Sequence, residues 1–102
     1  MLQHYVFIRY ARETPASHLD EFCRRMQALQ TSVPGILHLA IGRDILRDGR
    51  SWDLILIMRF ESVETLRAYQ QHPAHQDVMK FNNPAVAEVG SVDFFDAAES
   101  SD

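Results

Sequence analysis

The sequence predicts an α+β fold in the order β-α-β-β-α-β, in which a four-stranded antiparallel sheet carries two main helices on one face. Segments rich in β-branched and aromatic residues alternate with amphipathic helical segments, and prolines and glycines stand at their boundaries. With 102 residues, 46% of them hydrophobic and 24% charged, the chain has the size of one soluble domain. We assign residues 1–97 to this domain and residues 98–102 to a short acidic tail.

The first strand and the first helix are predicted from the N-terminal third of the chain. Residues 2–10 carry apolar side chains on both alternating faces, which indicates a strand covered on both sides. Thr14 then predicts an N-cap, with Pro15 at the first helical position. The helix that follows has one apolar stripe, formed by Leu19, Phe22, Cys23, Met26 and Leu29. It is expected to end before the turn VPG at residues 33–35.

The two middle strands are predicted to pair through a hairpin-like loop. Residues 36–44 alternate between large apolar side chains and polar or small ones, which is typical of a half-buried strand. Asp48 and Gly49 form a turn signal in the loop that follows. Residues 54–60 contain the continuous apolar run LILIM, which indicates a central strand buried on both faces.

The last part of the chain is predicted to supply the second helix and the fourth strand. Ser62 precedes a segment with helical apolar spacing and is predicted to cap it. That helix is expected to falter at His72, because a residue before proline is biased out of the α region. Pro73 can then open a short further helix, which the sequence NNP at residues 82–84 ends. Residues 86–95 are predicted to form the last strand.

The element order is that of ferredoxin-like domains, and the apolar pattern predicts that two copies pair. Tyr5 and Phe7 lie on the opposite face of the first strand from Val6 and Ile8. Since both helices cover one face, the other face would be a large apolar patch, which monomers avoid. Stacking two such sheets about a two-fold axis removes the patch and forms a dimeric α/β barrel. The predicted protein partner is therefore a second copy of the chain.

Composition and charge argue against several classes of function. The ten Lys and Arg residues are scattered and the formal net charge is −4, so no nucleic-acid partner is predicted. The N-terminus does not read as a signal peptide, and no run approaches the roughly 20 apolar residues of a membrane span. Cys23 is the only cysteine, which excludes an intrachain disulfide, and it is expected to be a buried inert thiol. We therefore expect a cytoplasmic protein that does not bind membranes.

Five segments resemble the stress-responsive dimeric α/β-barrel (Dabb) family. They are HYVF at residues 4–7, VPGI at 33–36, FES at 60–62, YQQHPAH at 69–75 and VDFFD at 92–96. The most specific of them is the His-Pro-x-His run that ends the fourth segment. The similarity extends from about His4 to Asp96 and implies the dimeric fold predicted above. It implies little about activity, since most members of this family have none assigned.

The resemblance also implies candidate site residues, because a few relatives are plant polyketide cyclases that close an aldol ring without a cofactor. It implies that His75 acts as the base and that Tyr69 assists. It places His4 in the lining of the pocket, whereas Leu54 stands at about the place where those enzymes carry a further histidine. We add His72, the first histidine of the run, as a second candidate ligand-binding residue. No cofactor is expected.

The residue types themselves fit proton transfer. A neutral imidazole titrates near pH about 6.5, so His75 could accept a proton from a carbon acid, while Tyr69 could donate a hydrogen bond to an enolate oxygen. In the structural alternative, His75 caps the broken helix or bonds a backbone carbonyl, and Tyr69 is a core residue. A metal site is not predicted: His72 and His75 are close in sequence and His4 or His38 could join them, but zinc needs converging ligands with a satisfied second shell.

Two functions of different classes are open at this level. In the first, the protein binds a small apolar or aromatic molecule in a pocket between the sheet and the helices, with cofactor-free acid–base chemistry. In the second, it is a stress-protective or structural homodimer without enzymatic activity. A monooxygenase-like activity, which the same dimeric scaffold hosts in other proteins, is a minor alternative.

Overall fold

The computed structural model describes residues 1–96 and follows the predicted order of elements. Its elements are β1 (Leu2–Tyr10), α1 (Ala16–Ser32), β2 (His38–Arg43), β3 (Leu54–Phe60), α2 (Val63–Gln71), α3 (Pro73–Asn82) and β4 (Val86–Phe95). A single 3-10 turn, Asn83–Ala85, joins α3 to β4. The predicted α+β fold is therefore confirmed, and α3 is the further helix expected after Pro73. The tail predicted at residues 98–102 lies outside the described residues.

The four strands form one antiparallel sheet in the order β2-β3-β1-β4. On β1, Leu2 pairs with Phe60 of β3 on one side and with Phe95 of β4 on the other. Paired residues of an antiparallel sheet point to the same face, so the even-numbered residues of β1 and β3 share the face that carries the helices. The two strands with apolar residues on both faces are thus the two central strands, as the LILIM run predicts.

The core lies between the helices and the face of the sheet that they cover. The two central strands supply these buried side chains to it: Leu2, Ile8, Tyr10, Leu54, Leu56, Met58 and Phe60. Along α1 the buried residues are Phe22, Met26 and Leu29, whose spacing places them on one face of the helix. Burying a large apolar side chain of this kind stabilises a fold by about 1.5–3 kcal/mol. The core therefore holds α1 against the middle of the sheet.

The opposite face of the sheet, here called the open face, carries no helix of the described chain and is rich in apolar side chains. Its large members are Tyr5, Phe7, Trp52, Ile55, Ile57, Val92 and Phe94. Tyr5 packs against Phe94 with ring centroids 5.4 Å apart, and Phe7 packs against Trp52 at 6.0 Å. The predicted two-faced apolar pattern of the central strands is confirmed.

One local prediction is wrong, and it concerns the residue that precedes α1. Helix α1 begins one residue later than expected, because Pro15 is extended (φ −74°, ψ 153°); Pro15 rather than Thr14 precedes the helix, and no side chain caps it. In the loop between β2 and β3, the predicted turn is present at residues 48–51, and Arg47 just before it is left-handed (φ 56°). The Asp44 carboxylate accepts a hydrogen bond from the Arg47 backbone N–H at 2.7 Å and stabilises the backbone at Arg47.

A break between α2 and α3 sets the direction of the last helix. The Ser62 side chain accepts a hydrogen bond from the Thr65 backbone N–H and caps α2, as predicted. At the other end of α2, His72 is extended (φ −66°, ψ 136°), which is the conformation expected before a proline. Pro73 opens the first turn of α3, where a backbone N–H would have no helical partner.

Gly35 turns the chain between α1 and β2, and replacing it tests this packing. Its φ is +96°, and a Cβ atom added there would lie 2.4 Å from the Thr65 side-chain Cγ2. We expect Gly35→Ala to lower the free energy of unfolding by about 1–3 kcal/mol in denaturant titrations, because strain and a clash add. Gly49→Ala is the control, since nothing lies within 4 Å of its Cβ position. Equal effects of the two substitutions on the free energy of unfolding would contradict the backbone conformation described for Gly35.

Candidate functional site

A cavity of about 170 Å³, here called the helix-side cavity, lies between the sheet and the helices. Most of its wall is apolar and comes from Val6, Ile8, Phe22, Leu56, Met79, Val86 and Val89. Its polar side chains are His4, Tyr69, His75, Asn82 and Asn83. An apolar wall with a few polar groups is typical of small-molecule sites. The cavity therefore combines the groups that the sequence singles out with a space that a ligand can fill.

His75 lies in the first turns of α3, and its ring is held by the backbone of α2. Its Nδ1 is 3.0 Å from the Gln70 carbonyl oxygen. A carbonyl only accepts, so Nδ1 carries the proton and Nε2 keeps a free lone pair. Burial lowers the pKa of His75; the hydrogen bond to Gln70 opposes this shift, and the nearby His4 adds to it. His75 is therefore a neutral imidazole near pH 7, with one ring nitrogen available as a base.

Tyr69 lies on α2 with its ring against His75, at a centroid distance of 4.5 Å. The side chain is 2% exposed, and burial raises the pKa of its phenol well above the usual range, so the hydroxyl keeps its proton. That hydroxyl has no hydrogen-bond partner within residues 1–96. No fully buried side-chain oxygen of this part of the chain lacks a partner. The Tyr69 hydroxyl must therefore touch open space, and the open space beside it is the cavity.

His4 reaches the cavity from β1. It is 6% exposed, and its Nδ1 lies 2.5 Å from the Asp93 Oδ1 of the neighbouring strand β4. The two residues are register partners, so the sheet itself brings the carboxylate to the ring. Because a carboxylate oxygen accepts the bond, Nδ1 carries the proton and Nε2 is left as the other polar atom of the ring.

His72 does not line the helix-side cavity. Its Nδ1 accepts a hydrogen bond from the Ala74 backbone N–H at 3.1 Å and caps α3. His72 thus caps α3, whereas His75 makes the hydrogen bond to a backbone carbonyl oxygen. Of the four candidate residues, three lie together in one cavity: His4, Tyr69 and His75.

Asn82, which belongs to the helix-ending run NNP, is a further polar residue of the cavity. It is the last residue of α3 and is almost completely buried. Together with His75 and Met79 it follows the spacing i, i+4, i+7, which puts the three on one helix face. That spacing is the signal that could have found it.

A larger groove, of about 1010 Å³, lies beside the loop between β2 and β3, but it is a weaker candidate. Several of its charged side chains already form ion pairs. Arg47 binds Asp53 and Arg43 binds Asp20, each at 2.5 Å. Pairing of this kind occupies the charged groups that a ligand would otherwise bind, and the groove contains none of the candidate residues His4, Tyr69 and His75.

Neither a metal cluster nor a membrane helix is found in the part of the chain that the structure describes. Within residues 1–96, no three His, Cys, Asp or Glu side chains form a group that could hold a metal ion. No helix of these residues is long and apolar enough to cross a membrane.

Comparison with known proteins gives matches that cover most of the chain. The family model described as stress responsive A/B barrel domain matches residues 2–96. Olivetolic acid cyclase of Cannabis sativa is 26% identical over 76 residues, which are 72% of this chain and 75% of that protein. A dimeric ferredoxin-like protein of unknown function from Thermobifida fusca superposes with a TM-score of 0.82 at 20% identity, covering 91% of this chain and 88% of that one. The hydroxynitrile lyase of Passiflora edulis superposes with a TM-score of 0.83 at 18% identity, covering 94% of each chain.

The two buried tyrosines beside the cavity allow a matched test of which hydroxyl supports the fold. The Tyr10 hydroxyl donates a hydrogen bond to Asn82 at 2.7 Å, whereas the Tyr69 hydroxyl has no partner within residues 1–96. We expect Tyr10→Phe to lower the free energy of unfolding by about 1–3 kcal/mol and Tyr69→Phe to change it by less than about 0.5 kcal/mol. Denaturant titrations measure both. A loss for Tyr69→Phe as large as that for Tyr10→Phe would mean that its hydroxyl has a structural role.

Proposed function

The chain belongs to the stress responsive A/B barrel domain family, and we propose that it binds a small, largely apolar carbonyl compound in the helix-side cavity and removes a proton from it. The observation that supports this most strongly is the state of His75. A neutral imidazole with an anchored Nδ1–H leaves Nε2 as a base in an apolar cavity beside a phenol that keeps its proton. A general base and a hydrogen-bond donor in one largely apolar cavity suit abstraction of a proton next to a carbonyl group.

In the proposed step, His75 Nε2 takes a proton from the carbon next to the carbonyl. The C–H bond breaks, an N–H bond forms, and the electron pair moves into an enolate. The Tyr69 hydroxyl donates a hydrogen bond to the enolate oxygen, where the negative charge develops. His4 contributes a further polar group to the lining, held in place by Asp93. Only a proton moves, so the step uses no cofactor.

Similar proteins support small-molecule chemistry on this fold. The relative from Cannabis sativa is a cyclase, and the similar structure from Passiflora edulis is a hydroxynitrile lyase. Shared fold does not carry a substrate from one protein to another. The proposal for this chain therefore rests on the residues of its own cavity.

We further propose that the protein works as a homodimer that pairs through the open face. The structural neighbours from Thermobifida fusca and Bacteroides fragilis are both described as dimeric. Val92 and Phe94 of the open face are exposed in the single chain, and a second copy would cover them. The helix-side cavity lies on the other side of the sheet, so this pairing would leave it free. The proposed location is cytoplasmic, which agrees with a lone, half-buried Cys23 whose thiol pKa is raised by burial.

Exchange of the methyl protons of acetophenone in deuterated water, followed by NMR, tests the proposed chemistry. We expect the protein to accelerate the exchange and His75→Gln to slow it by about 100-fold or more, which is the usual contribution of a general base. The rate should rise with pH and level off, with a midpoint below about 6.5, because burial lowers the pKa of His75 and the neutral ring is the active form.

His38→Gln is the matched control for the exchange experiment. His38 is exposed on β2, away from the helix-side cavity, so this variant should exchange at the rate of the unmutated protein. An unchanged rate in His75→Gln would contradict the proposed base. Absence of both exchange and binding of acetophenone would favour the alternative of a structural or stress-protective homodimer.

A pair of valine substitutions tests the proposed dimer by analytical ultracentrifugation. Val92 on the open face is 53% exposed and Val63 at the start of α2 is 43% exposed. We expect Val92→Asp to give monomers, because it would bury an unpaired carboxylate between the two sheets. Val63→Asp should remain dimeric. Dimers with both variants would show that another surface forms the contact.

A further inference from the structure

The polar groups of the helix-side cavity include one that the proposed reaction does not use, the carboxamide of Asn82. This side chain is 1% exposed and lies on the same face of α3 as His75, two turns further along the helix. Burying an asparagine is energetically unfavourable unless its hydrogen-bonding groups have partners. The partners of its two ends therefore indicate what the residue does.

The oxygen end of the Asn82 carboxamide is fixed from two sides. Its Oδ1 accepts a hydrogen bond from the Tyr10 hydroxyl at 2.7 Å and lies 3.1 Å from His18 Nε2, which as the partner of an oxygen donates its proton. Burial raises the pKa of Tyr10 to about 12, so its hydroxyl keeps the proton that it donates. Both lone pairs of Oδ1 are thus used by β1 and α1.

The position of His18 is itself fixed by aromatic packing. Its ring stacks on Phe81 with a centroid distance of 4.5 Å and an interplanar angle of 12°. The Tyr10 ring meets it edge-on at 5.5 Å. The Arg25 guanidinium covers Phe81 at 4.1 Å from the ring centroid. These contacts hold the donor of His18 toward Asn82 and so resist rotation of the carboxamide.

The nitrogen end of Asn82 has no partner of its own. Within residues 1–96, its Nδ2 makes no hydrogen bond, and no fully buried side-chain nitrogen lacks a partner. The amide nitrogen must therefore touch open space, and the cavity is the space that Asn82 lines. Two N–H donors beside a cavity whose wall is mostly apolar form a site for an acceptor oxygen.

We propose that the Asn82 carboxamide binds a carbonyl oxygen of the ligand and that Tyr10 and His18 are the positioning residues that aim it. This inference deepens the proposed function and rests on it. The volume narrows the substrate class, because an apolar cavity of about 150 Å³ accommodates a benzene ring. At about 170 Å³, the helix-side cavity suits a carbonyl compound with a single ring or a chain of similar bulk.

The proposal is tested with a pair of ligands that differ only in the acceptor oxygen. Acetophenone and α-methylstyrene have the same shape, but the first carries C=O where the second carries C=CH2. We expect the unmutated protein to bind acetophenone more tightly in NMR titrations. Asn82→Leu should reduce this preference by about tenfold, because it removes the amide donors and replaces them with a side chain of similar size. The affinity for α-methylstyrene should not fall.

Three variants separate this inference from the proposed base. Gln76→Leu makes the same kind of change at an exposed position of α3 and should keep the full preference for acetophenone. His75→Gln should also keep most of it, although it loses proton exchange. Tyr10→Phe keeps the Asn82 amide but removes one of the two hydrogen bonds that hold it. The preference for acetophenone should therefore fall by less than in Asn82→Leu.

Each outcome of the titrations bears on one proposal or on both. If Asn82→Leu keeps the full preference while His75→Gln loses exchange, the role of Asn82 is refuted and the proposed function stands. If the unmutated protein binds neither compound, both are refuted. Should Asn82→Leu fail to fold, the side-chain amide signals of the unmutated protein decide. Acetophenone should move the Asn82 amide proton signals downfield more than α-methylstyrene does, and equal shifts would overturn the proposal.

Discussion

Pro73 restricts the backbone conformation of His72, and the rest of the site depends on this constraint. It holds His72 extended, ends α2 and allows α3 to start in a new direction. Two hydrogen bonds then stabilise the break, one from the Ala74 N–H to His72 Nδ1 and one from His75 Nδ1 to the Gln70 carbonyl oxygen. The second bond also selects the tautomer of His75. A single backbone restriction thus positions α3 as a wall of the cavity and leaves Nε2 of His75 as the nitrogen that the proposed reaction uses.

The sheet separates two roles by its two faces. The helix face buries the core and leaves a cavity where the core is incomplete, between β1 and α3. The open face carries aromatic pairs such as Tyr5 with Phe94, which a second copy would cover. Because side chains alternate along a strand, β1 places His4 at the proposed ligand site and Tyr5 on the proposed dimer surface. Assembly and ligand binding can therefore coexist without competing for the same surface.

Much of the fold follows from local patterns in the sequence, whereas the candidate residues His4, Tyr69 and His75 follow from the family resemblance. Strand alternation, the Ser62 cap and the break before Pro73 are encoded by neighbouring residues, and the structure has each of them. The spacing from His75 could have placed Asn82 on the same helix face, but its hydrogen-bond partners could not be read in this way. Its partners Tyr10 and His18 are 72 and 64 residues away in sequence, and only the packed fold brings them together. The left-handed Arg47 was missed for a different reason: the residue is not a glycine, and a hydrogen bond from its backbone N–H to the nearby Asp44 carboxylate stabilises the conformation.

The central claim is that His75 presents a neutral, unprotonated Nε2 to the helix-side cavity. The most direct test is heteronuclear NMR of its imidazole nitrogens near neutral pH, with and without acetophenone. The hydrogen bond to Gln70 predicts a protonated Nδ1 and an unprotonated Nε2, with the Nε2 signal responding when the ligand enters. An imidazolium ring, a proton on Nε2, or an Nε2 signal that ignores the bound ligand would contradict it.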